Sequence, residues 1–231
     1  MTKETIIAFS QAHAEPEWLQ ARRKKAFDKI SELPLPSIER VKIARWKFGN
    51  QTISDSVETA NVVDFTNLGD NPKLIQVGTS TVFEQLSPDL VDNGVVFTDF
   101  YSALEVIPEV IEQYFGTALA FDEDQLTAYH HAYFNSAAVL YIPDNVEIDV
   151  PIEGLFYQNS DEAVEFNKHV LIIAGKHSKV SYLERFESLG EDSEKTTANI
   201  AVEVIALEGA QVKFSAIDRL GANIKIGRAH V

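Results

Sequence analysis

The chain has 231 residues, of which 45% are hydrophobic and 10% aromatic, and it contains no cysteine. A chain of this length and composition can bury a sizeable core, and the absence of thiols excludes a disulfide framework and a thiolate metal site within it. No stretch approaches the roughly 20 apolar residues of a membrane span, and residues 1–18 lack the apolar segment of a secretory signal, so we expect a cytoplasmic protein.

The net charge of −15 is unevenly distributed along the chain. Ten of the 20 Lys and Arg residues but only six of the 35 Asp and Glu residues lie in residues 1–50, which leaves this segment at +4 and the remainder at −19. The residues after position 50 are acidic enough to repel the phosphate backbone of a nucleic acid, which argues against a nucleic-acid partner. The basic segment is typical of the solvated face of a helix, and binding of an anionic partner is the alternative.

Residues 15–33 predict the first helix. Pro16 suits a first turn, where no amide donor is needed, and apolar residues such as Leu19 and Ala26 recur at helical spacing. The basic residues of this stretch fall largely on other faces. The LPLP sequence (33–36) ends the helix, because proline cannot continue its ladder of hydrogen bonds.

Residues 51–100 change to short apolar runs separated by turn residues, a pattern typical of strands. The clearest runs are KLIQVGTSTVFEQL (73–86) and GVVFTDF (94–100), the first with a turn at Gly78. Helical spacing returns over residues 102–116. This second helical stretch has a new start at its internal proline and an end at its final glycine.

From residue 132 onward the chain is rich in strands and repeats itself. An apolar strand, a short turn and a run of alternating residues recur three times, centred on Val146, Val180 and Val212, at separations of 34 and 32 residues. A repeat of this period indicates stacked supersecondary units, and the alternation favours strands over helices. The pattern predicts the rungs of a β-solenoid, with an ordinary antiparallel sandwich as the alternative.

Residues 171–178, LIIAGKHS, are close to the phosphate-binding pattern G-x-x-x-x-G-K-[ST]. Val170 stands where the first glycine is required, and His177 stands where the hydroxyl that holds magnesium is required. A helix should follow and direct its N-terminus at the phosphate, whereas SKVSYLERF alternates like a strand. We interpret the stretch as a turn between two strands and reject nucleotide binding.

The six histidines show no metal-ligand spacing. His130 and His131 are adjacent, so on a strand their side chains would point to opposite faces, while His169 and His177 flank a strand and its turn. A metal site would need groups from distant segments. Each histidine is therefore interpreted as a surface or packing residue, and no metal site is predicted.

No catalytic constellation stands out among the acids and hydroxyls. Glu184 and Asp218 could act as paired acids for glycoside cleavage from separate solenoid turns, but the separation that decides such a mechanism cannot be read from the sequence. Ser136 and Ser178 lack the G-x-S-x-G context of a hydrolase nucleophile. No catalytic residue is assigned, and residues that bind a cofactor stay unknown.

Five stretches of the chain form an ordered series of motifs. They are PEWLQARRKKAFDKISELPLP (16–36), ARWKF (44–48), IPEVIEQYFG (107–116), HAYFNSAAVLYIPDNVEIDVPI (131–152) and NKHVLIIAGKHSKVSYLERF (167–186). In this order they resemble the SufD family, from its N-terminal helical region to the first strands of its β-core. The SufB paralogue shares the core pattern, but the P-E-W-L start favours SufD.

The resemblance implies an iron–sulfur cluster assembly subunit rather than a free-standing enzyme. The implied fold is α+β and mainly β: an N-terminal helical and mixed α/β region (1–130), then the first rungs of a right-handed parallel β-helix (131–231). The implied partners are a SufB-like paralogue and a SufC-like ATPase, which carries the nucleotide chemistry. An iron–sulfur cluster is expected only transiently, in the full complex, and no bound cofactor is assigned to this chain.

The family continues with further rungs and with C-terminal helices that hold SufC, whereas this chain stops at IKIGRAHV (224–231). We therefore expect a truncated core that lacks the SufC-docking region. Its open β end predicts pairing with another chain, including a second copy in a homodimer. Two alternatives from other classes stay open: a β-helix carbohydrate-active enzyme, and a β-solenoid interaction module without chemistry.

Overall fold

A computed structural model describes residues 2–37, 39, 42–45, 68–159, 165–190 and 196–230. Within these ranges the chain forms six α-helices and ten β-strands, an α+β architecture that is mainly β. The helices are α1 (Lys3–Ala12), α2 (Glu17–Ile30), α3 (Pro88–Asp92), α4 (Phe100–Val106), α5 (Pro108–Tyr114) and α6 (Gln125–Tyr133). The strands are β1 (Lys73–Val77), β2 (Ser80–Gln85), β3 (Val96–Asp99), β4 (Ser136–Ile142), β5 (Ile152–Asn159), β6 (Phe166–Ala174), β7 (Lys179–Leu189), β8 (Thr196–Ala206), β9 (Gln211–Arg219) and β10 (Ile224–His230).

The helix predicted over residues 15–33 is confirmed as α2. Pro16 caps it in an extended conformation, and Glu17 places a carboxylate near the positive end of the helix. Leu19 and Ala26 are fully buried, and this side of α2 packs against α6. The predicted apolar runs at 51–67 and the tryptophan motif at 46–48 lie outside the described residues.

Short local signals set the later helices. Asp99 caps α4 by accepting hydrogen bonds from two backbone amides of its first turn. Pro108 begins α5, which confirms the new start predicted within residues 102–116, and Gly116 follows α5 with a φ of 70°. Asp124 begins α6 with a capping box. Among the described residues, no helix is both long and apolar enough to cross a bilayer.

The ten strands form two five-stranded sheets. The first sheet has the order β2-β1-β5-β7-β9, and the second has the order β10-β8-β6-β4-β3. The pairs β1–β2 and β3–β4 are antiparallel, and the other strand pairs are parallel. From β4 to β10 consecutive strands alternate between the second sheet and the first, so the chain crosses from one sheet to the other after each strand.

The prediction of a right-handed parallel β-helix is wrong. The structure has two mixed sheets, each with an antiparallel edge strand, and no parallel solenoid is found in the part of the chain that it describes. The repeat has another origin. Paired residues of the parallel neighbours β4, β6 and β8 lie 32 residues apart in the sequence, as Ala138, Val170 and Val202 do. The period therefore reports which strands are neighbours, and not how the sheets close.

The two sheets face each other across an apolar core, to which both contribute alternate residues. Phe156 and Phe186 come from the first sheet and Ile172 from the second. The other face of the second sheet packs against the helices, for example through Leu171 in a cluster with Phe115. All nine residues of β6 are buried, as expected for a parallel strand covered on both faces.

The strands that precede residue 131 belong to the same two sheets as those that follow it. Strand β1 pairs with β5, and β3 pairs with β4. The division into regions 1–130 and 131–231 stays a prediction.

Candidate functional site

Three histidines that are scattered in the sequence lie together behind the second sheet. His130 and His131 come from α6 and His169 comes from β6, and each is at most 1% exposed. His130 Nε2 lies 3.0 Å from His169 Nδ1, and His169 Nε2 lies 2.9 Å from Oε1 of Glu203 on β8. We call His130, His131, His169 and Glu203 the histidine cluster.

Glu203 is the charged member of the histidine cluster. It lies two residues beyond the partner of His169 in the parallel register and points to the same face of the sheet. Its carboxylate accepts hydrogen bonds from the amides of Gly116, Ala118 and Leu119 at 2.8, 2.9 and 3.1 Å. Burial raises the pKa of Glu203, but the hydrogen bond and charge of His169 and the Leu119 amide outweigh burial and lower the pKa to about 2.

Burial keeps the two histidines of α6 neutral. It lowers the pKa of His130 well below its ordinary value, and electrostatic repulsion from His169 lowers it further. Burial, followed by the charge of His169, lowers the pKa of His131 to about 3. Because a carbonyl oxygen only accepts, His131 Nε2 carries the hydrogen that it donates to Leu119 O at 2.8 Å.

The histidine cluster is enclosed by protein, so its chemistry is that of a buried hydrogen-bond network. Among the described residues, no three His, Asp or Glu side chains are arranged to hold a metal ion. The rings also serve as packing surfaces, since the Phe115 ring centroid lies 4.6 Å from that of His169. We interpret the cluster as an internal link that joins α6 and the turn after α5 to the second sheet.

A second buried network joins α2 to the end of α6. Arg23 is 0% exposed. Its guanidinium donates to Glu15 Oε1 at 2.7 Å and to the carbonyls of Ala132 and Phe134 at 3.2 and 2.9 Å. Tyr101 Oη donates to the same Glu15 carboxylate at 3.0 Å. The basic N-terminal segment is therefore not simply a solvated helix face, because one of its arginines lies inside the fold.

A third polar group, Lys168, lies between the two sheets. Its Nζ donates to Gln76 Oε1 and, at 3.0 Å, to Ser136 Oγ, and it lies 4.2 Å from the centroid of the Phe156 ring. Burial lowers the pKa of Lys168 well below its ordinary value, although the charge of Asp99 opposes this shift. Ser136, a hydroxyl weighed as a nucleophile, is 4% exposed and accepts this hydrogen bond.

The stretch that resembles a phosphate-binding loop, residues 171–178, is confirmed as the end of a strand and a turn, and the next strand begins directly after it at Lys179. A Cβ on Gly175 would lie 2.5 Å from the backbone nitrogen of Asp144, so only glycine fits this close approach. Asp144 Oδ1 accepts from the amide of Lys176 at 2.7 Å, and Ser178 Oγ donates to Gly175 O at 2.7 Å. The polar groups of the turn are therefore used by the protein itself.

The two acids considered for glycoside cleavage are not presented on one surface. Glu184 is 0% exposed on the inner face of β7, whereas Asp218 on β9 is exposed. In the parallel register Glu184 pairs with Ala216, and Asp218 pairs with Phe186. A polysaccharide cannot reach a carboxylate inside the core. The arrangement gives no support to the carbohydrate-active alternative.

The sequence does not reveal the histidine cluster, because His130 and His131 are considered there as strand residues, whereas they lie on α6. One signal was available: Asp124 and Thr127 have the spacing of a capping box and mark a helix start. The contact between His169 and Glu203 joins residues 34 positions apart, and it depends on a strand register that no local pattern displays.

The chain matches sequence models of two regions of one protein family. The model described as "SufBD protein N-terminal region" matches residues 70–153, and the model described as "SUF system FeS cluster assembly, SufBD core domain" matches residues 156–228. The two matches follow one another in the order expected of one protein. The chain belongs to the SufBD family of the SUF system.

Within this family the chain is similar to SufD proteins, which confirms the resemblance seen in its motifs. It is 32% identical to the iron-sulfur cluster assembly protein SufD of Bacillus subtilis (strain 168), over 96% of this chain and 53% of that protein. It is 28% identical to the iron-sulfur cluster assembly SufBD family protein ycf24 of Pyropia yezoensis, over 100% of this chain and 52% of that protein. The chain spans about half the length of the curated relatives that it matches.

Proposed function

We propose that this chain acts as a SufD-like subunit of an iron–sulfur cluster assembly complex, as a scaffold component rather than as an enzyme. The observation that carries the proposal is the ordered match of both family regions, residues 70–153 and 156–228. The similarity to SufD of Bacillus subtilis supports the choice of SufD over SufB. The iron–sulfur cluster is the cargo of the complex, which we place in the cytoplasm.

The partners that we propose are a SufB-like paralogue and a SufC-like ATPase. Nucleotide hydrolysis belongs to the ATPase in this scheme, because in the Gly175–Ser178 turn the Lys176 amide donates to Asp144 and the Ser178 hydroxyl donates to Gly175 O within the turn. Strands β9 and β10 are the last strands of their sheets in the described part of the chain. Such edges accept an added strand from a partner, or from a second copy of the chain in a homodimer.

The first experiment tests the function in cells. The gene is placed under a repressible promoter, and the activity of an iron–sulfur enzyme such as aconitase is measured against that of a metal-free dehydrogenase. We expect repression to lower only the iron–sulfur activity, and the natural full-length protein to restore it. Equal loss of both activities, or no loss of either, would count against the proposal.

The second experiment tests the partners. The tagged full-length protein is purified from its own cells under mild conditions, and the proteins that copurify are identified by mass spectrometry. We expect an ATPase with a Walker phosphate-binding loop and a SufB-like protein in defined stoichiometry. Recovery of neither, together with cleavage of a polysaccharide by the pure protein, would instead favour the carbohydrate-active alternative.

A further inference from the structure

A groove of about 350 Å³ lies on the outside of the helical layer, between the turn joining α1 to α2 and the helices α4 and α5. Its walls combine aromatic rings, apolar side chains and two carboxylates. The residues that shape it are Trp18, Tyr101, Leu104, Pro108, Glu105 and Glu112. Its volume is at the small end of the range for ligand pockets, about 300–1,000 Å³, which suits one or two side chains of a partner.

The aromatic residues of the groove are held in place by neighbouring side chains. The Tyr101 hydroxyl donates to the buried carboxylate of Glu15 at 3.0 Å. His13, which also lines the groove, stacks on the Tyr101 ring, with centroids 4.7 Å apart and an interplanar angle of 22°. Trp18 is half-buried and leans on Phe115, with ring centroids 6.2 Å apart. These contacts present fixed π faces, which carry negative potential.

The groove has negative charge that is not neutralised by its surroundings. Glu105 and Glu112 line it and are exposed, and in the described part of the chain neither carboxylate takes part in an ion pair or a hydrogen bond. No Lys or Arg is among the described residues that line it. The two arginines of α2 make other contacts, since Arg22 donates to Gly116 O and Arg23 to Glu15.

We propose that this groove binds an arginine side chain on a basic, extended segment of a protein partner. A guanidinium is planar, so it stacks on an aromatic face while its N–H groups donate in pairs to carboxylates such as Glu105 and Glu112. The methylene groups of the arginine side chain pack against apolar residues such as Leu104 and Pro108. The choice of a protein source over a free guanidinium compound rests on the proposed role as a subunit of an assembly complex.

Site-specific photocrosslinking in the organism's own cells tests the proposal. The full-length protein carries benzoylphenylalanine at Pro108, which is exposed on the rim of the groove, and the crosslinked partner residue is mapped by mass spectrometry. We expect a crosslink to another protein, within a few residues of an arginine. The double substitution Glu105→Gln and Glu112→Gln should lower its yield about tenfold, the effect of roughly one strong charge-assisted contact.

The matched control is Glu109→Gln, which removes an exposed carboxylate of α5 that does not line the groove and should leave the yield unchanged. In the partner, replacement of the mapped arginine by alanine should abolish the crosslink. Crosslinks within this chain, to a second copy or to a segment without arginine would overturn the inference, as would a yield insensitive to the double substitution. If the protein still restores aconitase activity in that case, this inference alone has failed and the proposed function stands.

Discussion

Replacement of Arg23 by methionine is expected to destabilise the fold strongly, because it leaves a carboxylate without its partner inside the protein. The Glu15 side chain is 0% exposed and receives contacts from the Arg23 guanidinium at 2.7, 2.9 and 3.1 Å. After the substitution, the Tyr101 hydroxyl still donates a hydrogen bond to this carboxylate. The carbonyls of Ala132 and Phe134 lose their side-chain donor at the same time.

The size of the effect follows from these contacts. Removal of one partner from a buried ion pair costs about 3–5 kcal/mol. Each buried carbonyl that loses a hydrogen-bond partner adds about 1–3 kcal/mol where no other donor reaches it. Methionine keeps much of the apolar contact with the Phe134 ring, so we expect Arg23→Met to lower the free energy of unfolding by about 4 kcal/mol or more. Addition of Glu15→Gln removes the stranded charge and should restore about 2–3 kcal/mol.

The assay is urea denaturation of the wild type, both single variants and the double variant, followed by tryptophan fluorescence and far-UV circular dichroism. Lys25→Met is the control, since Lys25 is exposed on the same helix and should change the free energy of unfolding by less than about 0.5 kcal/mol. A loss below about 1 kcal/mol for Arg23→Met, or a double variant whose loss is the sum of the two single losses, would refute the reasoning.

The buried titratable groups and Gly116 supply three more tests. The pKa in the folded state is lowered to about 3 for His131 and to about 2 for Glu203, so the free energy of unfolding should fall as the pH drops from about 6.5 towards 2. His131→Asn should reduce this loss between about pH 6.5 and 4.5, with the remainder due to His130, and equal wild-type stability at pH 7 and 5 would contradict the scheme. The wild-type free energy of unfolding should rise from about pH 7 to 9.5, because Lys168 keeps its proton to higher pH in the unfolded chain than in the folded protein. Lys168→Met should abolish this rise. A wild type without the rise would contradict the lowered pKa. In urea titrations, Gly116→Ala should lower the free energy of unfolding by about 1–2 kcal/mol more than Gly69→Ala. Both glycines have a positive φ, but of the two only Gly116 has a side-chain atom 1.8 Å from where a Cβ would lie. Equal losses of stability would show that this contact relaxes freely.

Elements whose determinants lie within a few residues could be predicted from the sequence. Pro16 and the apolar spacing behind it locate the start and the buried side of α2. Gly78, with a φ of 57°, separates the two strands of the β1–β2 hairpin, and Pro108 separates α4 from α5. In each case the residue acts on its own φ or on a neighbouring hydrogen bond, so no distant part of the chain is needed.

The way in which the sheets close could not be predicted from the repeat. The antiparallel edge strands that determine it precede the repeat in the sequence. Strands β2 and β3 precede residue 131, and each forms an antiparallel edge of one sheet. The repeat from residue 132 onward reports the parallel neighbours β4, β6 and β8 correctly, since they lie 32 residues apart. It contains no information on the antiparallel pairs, and a solenoid extrapolated from it was therefore wrong.

The histidine cluster depends on the surroundings of α6 rather than on its sequence pattern. Adjacent residues of a helix differ by about 100° in direction, so His130 and His131 cannot share one face. Every residue from Thr127 to Tyr133 is nevertheless buried, because α6 lies between α2 and the second sheet, and both directions point into protein. A buried imidazole is tolerated only where it finds hydrogen-bond partners, and here Leu119 O and the His169–Glu203 pair supply them. On a helix with only one face packed against protein, these histidines would be exposed to solvent. The site can therefore be recognised only once the partners from β6 and β8 are known.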